Sequence, residues 1–136
     1  MRVVQTIARW ALAALLLVAG ASHLTWGRRG YRIVVPDWAV RTSKLDKDAI
    51  VVASGAVEIM LGAATLVLPR DRRTVGALIA AFFVAVFPGN VHQWRTKRSA
   101  PMLDTDTKRL VRLFLQPVLV VWALWSTRGE VSRRRR

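Results

Sequence analysis

The chain contains no cysteine. Disulfides, thiolate metal sites and thiol redox chemistry by its own side chains are therefore excluded. Acidic residues are scarce: 8 Asp and Glu stand against 22 Lys and Arg, for a formal net charge of +14. Histidine occurs twice and tyrosine once. Runs of alternating apolar and polar residues are absent too, which argues against half-buried strands.

What remains is 136 residues, 53% of them hydrophobic. That length suits a single domain, 1–136. A pI near 11.9 would suit a phosphate backbone. However, the basic residues are not spread along one face. They sit in blocks, Arg28 to Lys47, Arg70 to Arg73, Arg95 to Arg109 and Arg128 to Arg136, between apolar stretches. Charge confined to the ends of apolar segments is the pattern of a multi-pass membrane protein, and no nucleic-acid partner is expected.

Four stretches are long enough to cross a hydrocarbon core, which takes about 20 helical residues. They run from Val3 to Trp26, Ala49 to Leu68, Thr74 to Trp94 and Leu110 to Thr127. Four segments cannot close a barrel, and unpaired backbone is not tolerated in lipid, so helices are required. The expected fold is all-α: an integral membrane four-helix bundle, antiparallel, with a long first extracytoplasmic loop, Gly27 to Asp48. Trp10, Trp122 and Trp125 fall near one face of this bundle and Trp26 and Trp94 near the other, as an aromatic belt requires. Arg9, one turn into the first span, can snorkel. A competing reading takes Ala19–Gly20–Ala21 as a signal-peptide cleavage site. The continuation through Leu24 and Trp26 suits an uncleaved helix better. The arginine tail 128–136 favours both termini in the cytoplasm, where it would anchor on anionic lipid.

The polar residues of the spans fall at one depth. With ~1.5 Å of rise per residue, His23, Ser54, Glu58, Asn90, His92, Arg112 and Gln116 all lie in the outer half. Ser54 and Glu58 are four apart, as are Arg112 and Gln116, so each pair shares a helix face. A carboxylate facing lipid costs about 2.5–3.5 kcal/mol, so Glu58 is expected to face the bundle. Arg112 is expected to approach it, with Gln116 nearest in depth. Pro88 and Pro117 are expected to kink their helices and to free the carbonyls of Val84 and Leu113. Ala77, Ala81, Ala85 and Gly89 form a small-residue stripe suited to close helix packing. The segment Tyr31 to Trp38 is apolar enough to cap the polar cavity. Asp104 and Asp106 lack the further donors that a divalent cation needs.

Several of these segments match a known pattern. Ser22–His23 closes the first span, Ser54–Gly55–Ala56–Val57–Glu58–Ile59 lies in the second, and Val84–Ala85–Val86–Phe87–Pro88–Gly89–Asn90 ends the third. Arg112–Leu113 and Leu115–Gln116–Pro117 follow in the fourth. The chain resembles the DoxX family of small bacterial membrane proteins. The resemblance implies a four-helix bundle in the bacterial cytoplasmic (inner) membrane. Some relatives look like quinone-linked subunits of thiosulfate oxidation, and others associate with redox and stress proteins at the membrane.

Three functions remain in play. The pocket binds a small amphipathic ligand, or the protein acts as a membrane partner or scaffold, with lipid bilayer, membrane-associated redox or stress proteins, or further copies of itself as partners. Alternatively, it is a quinone-linked oxidoreductase subunit, with His23, Glu58 and Arg112 around the ring. In the third, the polar cluster is a purely structural network. A quinone is the one cofactor class retained; no haem, iron–sulfur cluster or metal is expected.

Overall fold

The computed structural model describes residues 2–100 and 103–129. Among them are six helices: α1 (Arg2–Leu24), α2 (Arg28–Arg32), α3 (Asp37–Ser43), α4 (Lys47–Val67), α5 (Arg72–Thr96) and α6 (Asp106–Ser126). No strand forms among the described residues, and the single bridge joins Ala100 to Leu103. The tail Arg133 to Arg136 lies outside the described residues.

The four long helices are apolar enough to cross a membrane, with mean hydropathy of 1.7, 2.0, 1.9 and 1.3 over their best windows. Their ends differ from the sequence reading. α1 stops at Leu24 rather than Trp26, because the Gly27 N–H turns back to the Ser22 carbonyl at 2.9 Å and ends the ladder. α6 begins at Asp106, not Leu110. Thr105 caps it by accepting the Lys108 N–H, and Asp106 sits favourably in its first turn. Asp46 caps α4 in the same way, through the Ala49 N–H at 2.7 Å.

The long connection after α1 is not an open loop. It folds into α2 and α3, with Pro36 setting the extended entry to α3 and Lys44, at φ 60°, ending it. Asp48 on α4 receives both Arg28 and Arg32 from α2, the latter at 2.7 Å. Asp37 at the start of α3 meets Lys47 at 2.7 Å and Arg98 at 3.6 Å.

α1 packs most closely on α4, and α5 on α6. The α1–α4 crossing is made by glycines. A Cβ on Gly20 would lie 2.6 Å from the Gly55 carbonyl oxygen, and one on Gly55 would lie 2.7 Å from the His23 Cβ. Side chains at either position would push the backbones apart. The small-residue stripe expected on α5 behaves otherwise: Ala77, Ala81 and Ala85 are exposed, and α5 buries Val75, Ile79, Ala80 and Phe83 instead. Val75, Ile79 and Phe83 bury more apolar area than alanine does, and with Ala80 they join Leu12, Leu16 and Ala123 in the core.

Candidate functional site

The glycine crossing between α1 and α4 brings His23, in the last turn of α1, against Glu58, one turn beyond Gly55. His23 Nδ1 and Glu58 Oε2 are 2.7 Å apart, and both side chains are about nine-tenths buried. Their angles fall outside hydrogen-bond range, so each atom lacks a directed hydrogen-bond partner. The contact is a close charge–dipole or ion pair with bonding capacity to spare.

The Tyr31 ring meets the His23 ring edge-on, with centroids 3.7 Å apart and planes at 78°. Its hydroxyl lies 3.2 Å from Ser22 Oγ. Ser22 spends its own proton on the Ala19 carbonyl at 2.7 Å, so Tyr31 is the donor. Gly27 makes this fold-back possible, since a Cβ there would lie 2.6 Å from the Tyr31 ring.

Beside these groups lies a cavity of about 210 Å³. His23, Ser54, Glu58, Asn90 and Arg112 supply its polar lining. Tyr31, Val34, Val35, Pro36 and Trp38 from the α2–α3 connection, and Phe82 and Val86 from α5, supply the apolar walls. The connection therefore roofs the cavity.

Of the seven candidate residues, five line this cavity and two do not. Gln116 sits behind it. It accepts from Asn90 Nδ2 at 3.1 Å and donates to the Phe83 carbonyl at 2.8 Å. It is thus bound to α5 rather than placed beside Glu58. The carbonyl it reaches is one residue before Val84, whose partner Pro88 removes, and α5 and α6 both run continuously through their prolines. His92 is half-buried outside the cavity, with its Nε2 shielded and unpartnered among the described residues. The two histidines therefore do not face a common space.

Arg112 shares the cavity with Glu58 and feels its charge, as expected, while its Nη1 donates to Gln93 Oε1 at 3.1 Å and the close partner of Glu58 is His23. Gln93 Nε2 in turn reaches the Arg98 carbonyl at 3.2 Å, which also accepts from Arg109 Nε at 3.2 Å. Arg109 is itself buried and bonded to Asp106 and Ser99. These links brace the α5–α6 connection and fix Arg112 at the rim of the cavity.

Sequence reasoning placed Tyr31 in the capping segment without its contact to His23, and missed Gln93 and Arg109. Gln93 had a usable signal, being a polar residue at the same depth as Asn90. Tyr31 had a weaker one, as the chain's lone tyrosine. Among the described residues, no group of three His, Asp or Glu converges as metal ligands do.

Such a chain falls in the class of all-helical proteins with four helices long and apolar enough to cross a membrane. Residues 12–127 match the model of a domain of unknown function, DUF8561, and the chain belongs to that family. No curated protein and no solved structure matches it.

Proposed function

We propose that the chain is an integral membrane protein, an antiparallel four-helix bundle, whose cavity holds the polar end of a small amphipathic molecule. Membrane insertion is supported by what the long helices leave outside. Val3, Val4, Ile7 and Trp10 on α1, Met60 and Val67 on α4, Leu78 and Val84 on α5, and Phe114, Val118 and Val121 on α6 are all exposed. In water so much uncovered apolar surface on every long helix would be costly; in lipid it is the matching solvent. The bacterial cytoplasmic membrane, with both termini inside, follows from the resemblance to DoxX proteins and from the basic tail.

The observation that carries the binding reading is the buried His23–Glu58 pair in the lining of a cavity whose walls are mostly apolar. Nδ1 and Oε2 close on each other, and a ligand hydroxyl or carbonyl in the cavity would meet the other polar edge of either side chain. An apolar cavity of roughly 150 Å³ accepts benzene. At about 210 Å³, this one has room for a single substituted ring or a compact head, with any tail leaving through the roof or between helices.

A second reading, a quinone-linked oxidoreductase subunit, is favoured by one further feature. His23, Glu58 and Tyr31, three proton-carrying side chains, line a ring-sized space. Electrons would come from a membrane-associated redox partner, because the chain has no thiols. The Asn90–Gln116–Phe83 links are structural under either reading, since every amide atom in them that is named above is satisfied within the fold.

The test is native mass spectrometry of the protein extracted from its own membrane, followed by titration with a short-chain benzoquinone. Trp38 lines the cavity and reports occupancy by its fluorescence. A co-purifying amphipathic molecule lost in Glu58→Gln supports the binding reading. An empty cavity in the extracted protein, together with an unquenched Trp38, sinks it.

A further inference from the structure

Glycine inside a helix is disfavoured relative to alanine, so each one calls for a reason. The long helices hold five: Gly20, Gly55, Gly62, Gly76 and Gly89. At the first four packing supplies the reason, because a Cβ would come within 3.0 Å of a neighbouring atom. Gly89 differs. A Cβ there would meet nothing closer than the Val34 carbonyl oxygen at 3.5 Å, an ordinary contact. Gly89 lines the cavity beside Glu58, under the roof. The fold leaves room there for a methyl group that the sequence withholds.

A second small residue marks the edge of the same cavity. Phe82, Ala85, Val86 and Gly89 line it at spacings of three and four, as one face of α5. Ala85 also belongs to another stripe: Leu78, Ala81, Ala85 and Pro88 are all exposed, on the outward side of α5. One residue is thus part of both the cavity wall and the outer surface, so the cavity opens sideways at Ala85, in the seam between α4 and α5. That seam is a far lighter contact than the one between α1 and α4. Ala85 stands 11 residues from Thr96 and Glu58 11 residues from Lys47, each about 16 Å from the roofed end of its helix. The opening and the carboxylate therefore share a depth.

The cavity also reaches the surface at Trp38 in the roof, which is exposed. Asp37 and Arg41 are exposed close by, and Asp37 is paired with Lys47 and Arg98. An apolar chain leaving there would pass charged side chains into water, at a cost for every methylene wetted. A chain leaving past Ala85 meets Ala81 and Val84, which are exposed and apolar, and stays in hydrocarbon. A cavity of about 210 Å³ takes a substituted ring but not a long chain as well. We propose that the ligand is a membrane-dissolved amphiphile with a compact polar head and an apolar chain, the head held between Glu58 and Gly89 and the chain running out past Ala85 into the bilayer. Gly89 sets the width available to the head, and Ala85 sets the passage for the chain. This rests on the membrane and binding readings given above.

The experiment uses the full chain in phosphatidylcholine bilayers and two probes that share a head: a benzoquinone bearing methyl groups only, and the same ring with a decyl chain. Concentrations are taken as mole fractions in the bilayer, so that partitioning cancels. Occupancy is read as the fluorescence quenching that Trp38→Phe abolishes. Ala85→Phe is expected to raise half-saturation at least about tenfold for the chain-bearing probe and less than about threefold for the methyl-only probe. Ala81→Phe, one turn away on the same exposed stripe but outside the cavity lining, is expected to shift neither. Gly89→Ala is expected to raise the ligand-free thermal midpoint by about 2–4 °C and to weaken both probes about tenfold. Should Ala85→Phe not fold, Ala85→Leu takes its place. Equal weakening of both probes by Ala85→Phe, or no weakening, would overturn the proposal, and so would a Gly89→Ala protein that binds both probes as before. If neither probe quenches Trp38 in the unaltered protein, the binding reading itself fails. If the methyl-only probe does and the chain-bearing one does not, this inference alone fails.

Discussion

His23 Nδ1 and Glu58 Oε2 stand 2.7 Å apart across the α1–α4 interface, buried where the backbones of Gly20 and Gly55 touch. Packing and chemistry are thus coupled: the glycines set the helix separation, and the separation sets the pair.

Gly55→Ala is therefore expected to act at the site as well as on stability. The added methyl would press on the His23 Cβ and the Gly20 carbonyl oxygen, at 2.7 and 2.9 Å. Overpacking of this kind costs about 1–3 kcal/mol. Thermal unfolding in detergent should report the loss, while Ala56→Ser on the exposed side of α4 should leave the midpoint unchanged. Equal midpoints for both variants would show that the crossing tolerates side chains.

Glu58→Gln keeps the size of the side chain and removes its charge. The fold is expected to persist, with helical content by circular dichroism unchanged. Trp38 quenching by the short-chain benzoquinone is expected to weaken by at least about tenfold, as loss of one charged contact implies. Glu58→Ala, which also leaves His23 without its neighbour, is expected to destabilise by about 3–5 kcal/mol, the range for broken buried pairs.

Gln116→Leu separates structure from site. It strands Asn90 Nδ2 in a buried setting, at about 1–3 kcal/mol for an unsatisfied group. Because Gln116 does not line the cavity, benzoquinone affinity measured through Trp38 is expected to stay within about threefold, a few tenths of a kcal/mol. A collapse of affinity in a folded variant would place the glutamine in the binding machinery.

The roof over the cavity has a defined pH range. The Lys47 hydrogen bond and charge, aided by Arg98, hold the Asp37 carboxyl below the usual carboxylate range. A depressed carboxylate stabilises the folded state above its unfolded value, near 3.9, and that contribution fades as pH falls through the folded value. Hydrogen exchange in residues 37–43 should accordingly be steady from about pH 8 to 5, once corrected for intrinsic rates, and should quicken below about 4. Asp37→Asn should show the faster exchange throughout.

The apolar runs and the shared depth of His23, Ser54, Glu58, Asn90 and Arg112 were legible in the sequence, because both depend only on position along a helix. What was not legible is rotation about each helix axis. Gln116 lies four residues from Arg112 and at the depth of Glu58, yet it turns to α5 and meets Asn90. The alanine stripe on α5 likewise advertised a contact that the larger Val75, Ile79 and Phe83 took over. Tyr31 was placed in the cap, but its contact with His23 was not foreseen, because it depends on a fold-back through Gly27 that no periodic pattern records.

The glycine crossing also limits how the molecule can breathe. Where Gly20 meets Gly55 the two backbones are in contact, and α1 and α4 share the most extensive helix–helix interface in the fold. The roof, by contrast, hangs on solvent-facing ion pairs at Asp37 and Asp48, and α5 touches α4 far more lightly than α1 does. On the binding reading proposed above, a guest would enter through the roof or the α4–α5 seam, with the α1–α4 interface as the closed wall.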